Sequence, residues 1–182
     1  FEPVDLGLVR DDGDALTAAI QAGAASCDAV LTSGGVSMGD IDLVRVVLDR
    51  IGEMRWMQIA IRPAKPFAFG LVGERTPVFG LPGNPVSSMV SYELLARPAL
   101  RRVAGHPSGR WHRAAVAAVA AEALPRHPDG KLHLARVVGE RDSDGVLHVR
   151  SAGGQGSHHL TAMAHAHGLA LLPDGNGVVA GQ

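Results

Sequence analysis

Two glycine-rich turns constrain this chain more than anything else in it. Ser33-Gly34-Gly35-Val36-Ser37-Met38-Gly39 follows an apolar β-type run at 28–32 and precedes Ile41, Val44, Val47, Leu48 and Ile51 at helical spacing. Gly80-Leu81-Pro82-Gly83-Asn84-Pro85 follows a β-type run at 76–81 and opens a helical pattern over 85–103, which Pro98 is expected to kink or split. Further β-type runs are read at 4–9, 57–61 and 67–72, with a helix over 15–25. Strands that are apolar throughout and alternate with helices predict an α/β domain: a three-layer, mostly parallel sheet with helices on both faces.

The character of the chain changes near residue 105. All nine histidines lie at or beyond His106, and six of the seven aromatic residues lie before it. Ala104-Gly105-His106-Pro107-Ser108-Gly109 supplies the glycine, proline and serine that stop helices and link domains. The boundary is therefore set there, giving an α/β domain over 1–105 and a second domain over 106–182. In the second, short β-compatible runs at 114–121, 132–139, 146–151, 169–172 and 178–180 are separated by turns such as Pro128-Asp129-Gly130. That pattern predicts a small all-β, barrel-like domain.

Charge excludes several functions. Lys and Arg number 17 against 18 Asp and Glu, a net charge of −1, so neither general nucleic-acid binding nor membrane-surface binding is expected. No apolar run reaches membrane-spanning length. The single Cys27 rules out a disulfide framework and any multi-cysteine metal cluster, which points to a reducing cytoplasm. The chain opens on Phe1 and runs at once into a β-type segment, so it is expected to begin inside a domain.

Three turns bear on chemistry. Arg10-Asp11-Asp12-Gly13 and the two glycine-rich turns would all emerge at the carboxyl edge of a parallel sheet, where open α/β folds place ligands. Glycine lets the backbone approach an oxyanion, and Ser33 and Ser37 add hydroxyls. Asp11, Asp12, Asp40 and Asp42 offer hard oxygen ligands for Mg²⁺, although Asp11, Asp12 and Asp40 are equally suited to capping helices. Arg62-Pro63-Ala64-Lys65-Pro66 sets two cations on a proline-stiffened backbone, a rigid positive site for an oxyanion or a solvated strand end. The histidines lack zinc-site spacing, no GxSxG elbow occurs, Cys27 reads as a core residue, and Met54, Trp56 and Met57 read as packing.

Taken together and in order, these segments resemble one family. Val9-Arg10-Asp11-Asp12, Leu31 through Asp40, Ile61 through Gly70, Gly80 through Ser87, Gln155-Gly156-Ser157-His158 and Gly168 through Pro173 are similar to the motifs of the molybdopterin molybdenumtransferases, the family of bacterial MoeA and the gephyrin E domain. The resemblance covers essentially the whole chain. It implies insertion of molybdenum from molybdate into adenylylated molybdopterin, with release of AMP and dependence on Mg²⁺. Motif by motif, it implies that Asp11 and Asp42 serve metal and nucleotide phosphate, with Lys65 also in the catalytic set. Ser33, Gly34, Gly35, Ser37, Pro82, Gly83, Asn84 and Pro85 would hold the molybdopterin nucleotide. Arg62, Lys65, Pro66, Ser87, Arg136 and Ser157 would hold molybdate. The chemistry agrees, because a tetrahedral dianion calls for paired cations and hydroxyl donors, and no protein nucleophile is required.

Three departures and three alternatives accompany the resemblance. Arg62 and His167 stand where the family usually has lysine and asparagine. The family's preceding strand–turn–helix unit and the domains that form its homodimer are absent from these residues, so the 182-residue chain is expected to be a C-terminal fragment, inactive alone. A molybdopterin adenylyltransferase is the expected upstream partner in the full-length setting. The alternatives are an adenylyltransferase-like or CinA-like enzyme on the same α/β fold, which would lack the second domain and the Arg62–Pro66 segment; a gephyrin-like scaffold; and a preference for tungstate over molybdate.

Overall fold

The computed structural model describes residues 1–36, 42–73 and 75–182. They form two compact units, one of Phe1–Ile59 with Pro66–His112, the other of Ala60–Lys65 with Arg113–Gln182. The division falls after His112 instead of Gly105 because the linker folds back on its own helix. Arg97 donates to Trp111 O at 3.1 Å, Trp111 Nε1 donates to His106 O at 2.7 Å, and the Arg102 guanidinium lies 5.5 Å from the Trp111 ring centre. Among the described residues, no helix is long and apolar enough to cross a membrane.

The first unit is a four-stranded sheet in the order β1-β5-β4-β2, with β1 Val30–Ser33, β2 Gly52–Gln58, β4 Pro66–Val72 and β5 Thr76–Leu81. Helices cover both faces, as expected. Leu16 and Ile20 of α1 (Gly13–Ser26) and Val47 and Leu48 of α2 (Leu43–Ile51) pack on Val30, Val72 and Val78. Phe67, Phe79 and Leu81 point the other way, onto Ala96 and Leu100. The sheet is nevertheless mixed, not mostly parallel. Only β1–β5 is parallel; β5–β4 and β4–β2 are antiparallel. The links from β2 to β4 and from β4 to β5 contain no helix to carry the chain back across the sheet, so the strands turn and pair antiparallel.

Two further expectations are corrected in this unit. Residues 4–9 form no strand: Asp5 Oδ1 accepts from Gly7 N at 2.8 Å, and Gly7 takes φ 76°, so a local turn interrupts the run. Val9 still packs on the first core cluster. The helical stretch over 85–103 divides into α3 (Pro85–Ser91), a π-helical turn (Tyr92–Ala96) and α4 (Arg97–Val103). Pro98 has no N–H for the carbonyl one turn back and its ring crowds that carbonyl, which a widened turn relieves.

In the second unit β8 (Leu132–Arg141) is the spine. It pairs antiparallel with β9 (Leu147–Ser151) and β10 (Gly168–Leu172), and parallel with the two-residue β3 (Ile61–Arg62). β6 (Val119–Ala120) adds to β9, while β7 (Leu124–Pro125) and β11 (Gly177–Val178) pair separately. Among the described residues the sheet does not close into the expected barrel, since β6, β7 and β11 are too short to carry it around. The alanine-rich run 114–121 is strand only at β6, consistent with alanine's weak β preference. An unexpected short helix, α5 (Leu160–His165), precedes β10. Leu124, Ala135, Val137, Val149 and Leu172 make the core.

Candidate functional site

In the first unit the turns after β1 and β5 meet because those strands are parallel neighbours, with Ser33 opposite Leu81. Gly34 N donates to Leu81 O at 2.9 Å, carrying the ladder one step into the turn. Ser33 Oγ donates to Pro82 O at 3.4 Å and lies 3.3 Å from Ser88 Oγ. Gly35 has φ 74°, and a β-carbon there would stand 2.3 Å from Val44 Cβ, so the turn closes onto α2 only because the residue is glycine. Pro85 begins α3, and Ser87 is buried in it. The Asn84 Oδ1 and Thr32 Oγ1 atoms are buried and have no hydrogen-bond partner among the described residues.

A cleft of about 730 Å³ runs along β1 between α1 and the start of α2, and Asp11, Asp42, Ser33, Gly34 and Gly35 contribute to its wall, whereas Pro82, Gly83, Asn84 and Pro85 do not. The structure therefore brings these five predicted residues together. It also separates the two roles that the adjacent aspartates left open. Asp12 caps α1, its Oδ1 accepting from Ala15 N at 2.8 Å, while Asp11 lines the cleft. Ser37 and Asp40 lie outside the described residues. Two carboxylates beside glycine-rich turns form a donor set that fits Mg²⁺, which takes one or two carboxylates together with substrate phosphates. Among the described residues there is no group of three or more His, Cys, Asp or Glu able to hold a metal on its own.

In the second unit Arg62 and Lys65 are both exposed, on a segment where Arg62–Pro63 is cis and Ala64 has φ 79°. The Arg62 guanidinium lies 3.7 Å from Asp129 Oδ2. Arg62 is in register with His133 of β8, and Arg136 follows three residues later. Side chains alternate along a strand, so Arg62 and Arg136 are presented from opposite faces of the sheet. Pro66 and Ser87 belong to the first unit.

Arg136 is 1% exposed, and one of its Nη atoms donates to Gly154 O and Gly156 O, each at 3.0 Å. Its Nε is buried without a partner, and burial pulls the guanidinium's pKa below the ordinary arginine value, though it stays charged. Ser157 sits half-buried on the same loop. A buried cation facing carbonyl oxygens, with no carboxylate paired to it among the described residues, is electrostatically suited to an incoming anion.

Sequence reasoning overlooked two residues here. Asp129 reads as the middle of a Pro-Asp-Gly turn, yet it gathers Arg62, Arg126, Lys131 and His133. A lone acidic residue between Arg126, Lys131 and His133 was the available signal. Gln155 stands inside a quoted motif, but its side-chain hydrogen bonds leave no mark in spacing or composition.

Comparison with known proteins finds two matching families, the first of which takes in Ala60–Lys65 as well. Residues 1–102 match the family described as "probable molybdopterin binding domain", and residues 117–182 match the "MoeA C-terminal region (domain IV)". A molybdopterin molybdenumtransferase of Haemophilus influenzae is 34% identical over 98% of this chain and 43% of its own length. A gephyrin of Dictyostelium discoideum is 30% identical over 94% of this chain and 27% of its own length. The crystal structure of a molybdopterin biosynthesis MoeA protein from Pyrococcus horikosii superposes with a TM-score of 0.66 at 28% identity, covering 92% of this chain and 38% of that one. The chain thus spans less than half the length of these relatives.

Proposed function

The chain belongs to the molybdopterin-binding domain family, continued by a MoeA-type C-terminal domain, and from that premise we propose that it acts in molybdenum cofactor biosynthesis. The proposed reaction inserts molybdenum from molybdate into adenylylated molybdopterin and releases AMP. The observation that carries the reading is the meeting of the Ser33–Gly35 and Pro82–Asn84 turns on one sheet edge, with Asp11 and Asp42 sharing a cleft with the first of them.

Each group has a task that follows from its chemistry. The glycine turns admit a phosphate close to the backbone, where main-chain N–H groups can donate to it. Ser33 Oγ can turn its proton from Pro82 O to a ligand phosphate, and Asn84 Oδ1 is an acceptor for an N–H of the ligand. Asp11 and Asp42 would hold Mg²⁺, which when bound supplies charge neutralisation for the phosphate and the departing AMP. In the second unit Arg136 supplies positive charge and Ser157 a hydroxyl for molybdate, while Arg62, on the opposite face of the sheet, and Lys65 are exposed cations outside that pair. The sulfur ligands of molybdenum come from the molybdopterin dithiolate, so the protein's part is positioning and electrostatics.

Calorimetric titration with AMP tests the first-unit reading. Mg²⁺-dependent binding is expected, weakened about tenfold in Asp11→Asn or Asp42→Asn, the loss of one charge-assisted contact. Failure of the unaltered chain to bind AMP in the presence of Mg²⁺ rejects the reading.

A further inference from the structure

Arg136 and Gln155 hold each other reciprocally. The Gln155 side chain grips the main chain of Arg136: Oε1 accepts from Arg136 N at 2.8 Å, and Nε2 donates to Arg136 O at 3.0 Å. The Arg136 side chain in turn grips the main chain on either side of Gln155, at Gly154 O and Gly156 O. Gln155 Nε2 also lies 3.0 Å from Ser151 Oγ and 2.9 Å from Gly153 O, tying the loop to the end of β9.

The arrangement has a backbone logic. β9 ends at Ser151, opposite Val137, so the next ladder position on β8 is that of Arg136. There Ala152 N still donates to Arg136 O at 2.9 Å, and the Gln155 carboxamide, an amide like the peptide group, takes the strand's place at the N–H, its Oε1 accepting from Arg136 N while its Nε2 adds a second donor to the carbonyl. The loop leaving β9 is thereby held over the guanidinium. That guanidinium is buried, keeps an Nε without a partner, and pairs with no carboxylate among the described residues. Ser157 follows two residues after Gln155, so the same carboxamide fixes the hydroxyl and the cation relative to each other.

We propose that Gln155 is a positioning residue that sets the spacing between Arg136 and Ser157 and thereby the size of tetrahedral dianion the loop prefers. This rests on the reading that the loop receives molybdate. Gln155 touches no oxyanion in the proposal; it acts through the two groups that do.

Equilibrium dialysis of the full chain against molybdate, and separately against radiolabelled sulfate, tests this. Sulfate is the smaller dianion of the same charge and shape. Gln155→Met keeps side-chain length and removes every hydrogen bond; Gln155→Glu keeps the acceptor for Arg136 N and removes the donors. The molybdate dissociation constant is expected to rise about tenfold in Gln155→Met, the scale of one or two lost hydrogen bonds. The preference for molybdate over sulfate is expected to shrink by a similar factor. Gln155→Glu should weaken both anions further by repulsion and lose the same preference, and it carries the comparison should methionine unfold the domain. A merely structural role would weaken both anions equally and leave the preference intact, which overturns the inference. Unchanged molybdate binding in both variants removes the inference alone, whereas no binding by the unaltered chain removes the functional reading and the inference with it.

Discussion

Gly34 and Gly83 face each other across the carboxyl ends of β1 and β5, where a β-carbon on Gly83 would stand 3.4 Å from the Gly34 α-carbon, in van der Waals contact with it. The first turn is held there by Gly35, whose added β-carbon would collide with Val44. Gly35→Ala is therefore expected to lose about 2–4 kcal/mol, combining left-handed backbone cost with overpacking. Gly73→Ala, at φ 64° with open space around it, should lose only the backbone part, about 1 kcal/mol. Urea unfolding of the two variants checks this; equal losses would remove the steric argument.

The neighbouring aspartates 11 and 12 should separate cleanly. Asp12→Ala removes the α1 cap, and about 1 kcal/mol of stability is expected to go with it, while Mg²⁺-dependent AMP binding persists. Asp11→Asn should do the reverse, since Asp11 lines the cleft and Asp12 caps the helix. Thermal unfolding and calorimetry on both variants decide it, and matching effects in the two would contradict the division of roles.

How much of this was legible in the sequence differs by type of interaction. The glycine turns, the two-sided core of the first unit and the break at Pro98 follow from local rules, and they were readable. Residues 4–9 were misread because alternation of apolar residues signals a strand only if the chain can stay extended, and the Asp5–Gly7 turn prevents that. The mixed sheet was missed because strand direction depends on connection geometry, which β-type runs do not encode. The membership of Arg62 in the second unit depends on a two-residue ladder with β8, too short to leave a pattern. Asp129 and Gln155 act through contacts across turns and between strands, so no periodicity marks them.

Asp129 predicts an acid-dependent stability. Its carboxyl is lowered from 3.8 to about 2, first by the hydrogen bond from Lys131 and then by that from His133. A depressed folded-state value means that the stabilisation is present above the unfolded-state pKa and is lost as pH falls towards the folded one. As far as the Asp129 carboxyl alone is concerned, the difference in unfolding midpoint between the unaltered chain and Asp129→Asn should therefore begin to shrink at about pH 5 and go on shrinking through about pH 2. Parallel pH profiles for the two proteins would show that the cluster around Asp129 contributes nothing through its charge.

Arg126 predicts an effect of geometry separable from charge. Its side chain is 1% exposed, and the guanidinium donates to Lys131 O at 2.7 Å, Leu172 O at 3.0 Å and Pro173 O at 2.8 Å, as well as to Asp129 and Asp174. One planar group thus joins the start of β8 to the end of β10. Nη1 makes all three carbonyl contacts and Nη2 those to the two carboxylates. Lysine keeps the positive charge, but a single ammonium cannot occupy both nitrogen positions and serve the carbonyls and the carboxylates together. Arg126→Lys is expected to cost about 2–4 kcal/mol, from several main-chain acceptors left buried without donors. Hydrogen exchange should localise the loss: amides of 127–132 and 172–176 lose protection, while those of β1 and β5 keep theirs. A variant as stable as the parent would mean that charge alone holds these strand ends, because lysine changes the geometry and leaves the charge in place.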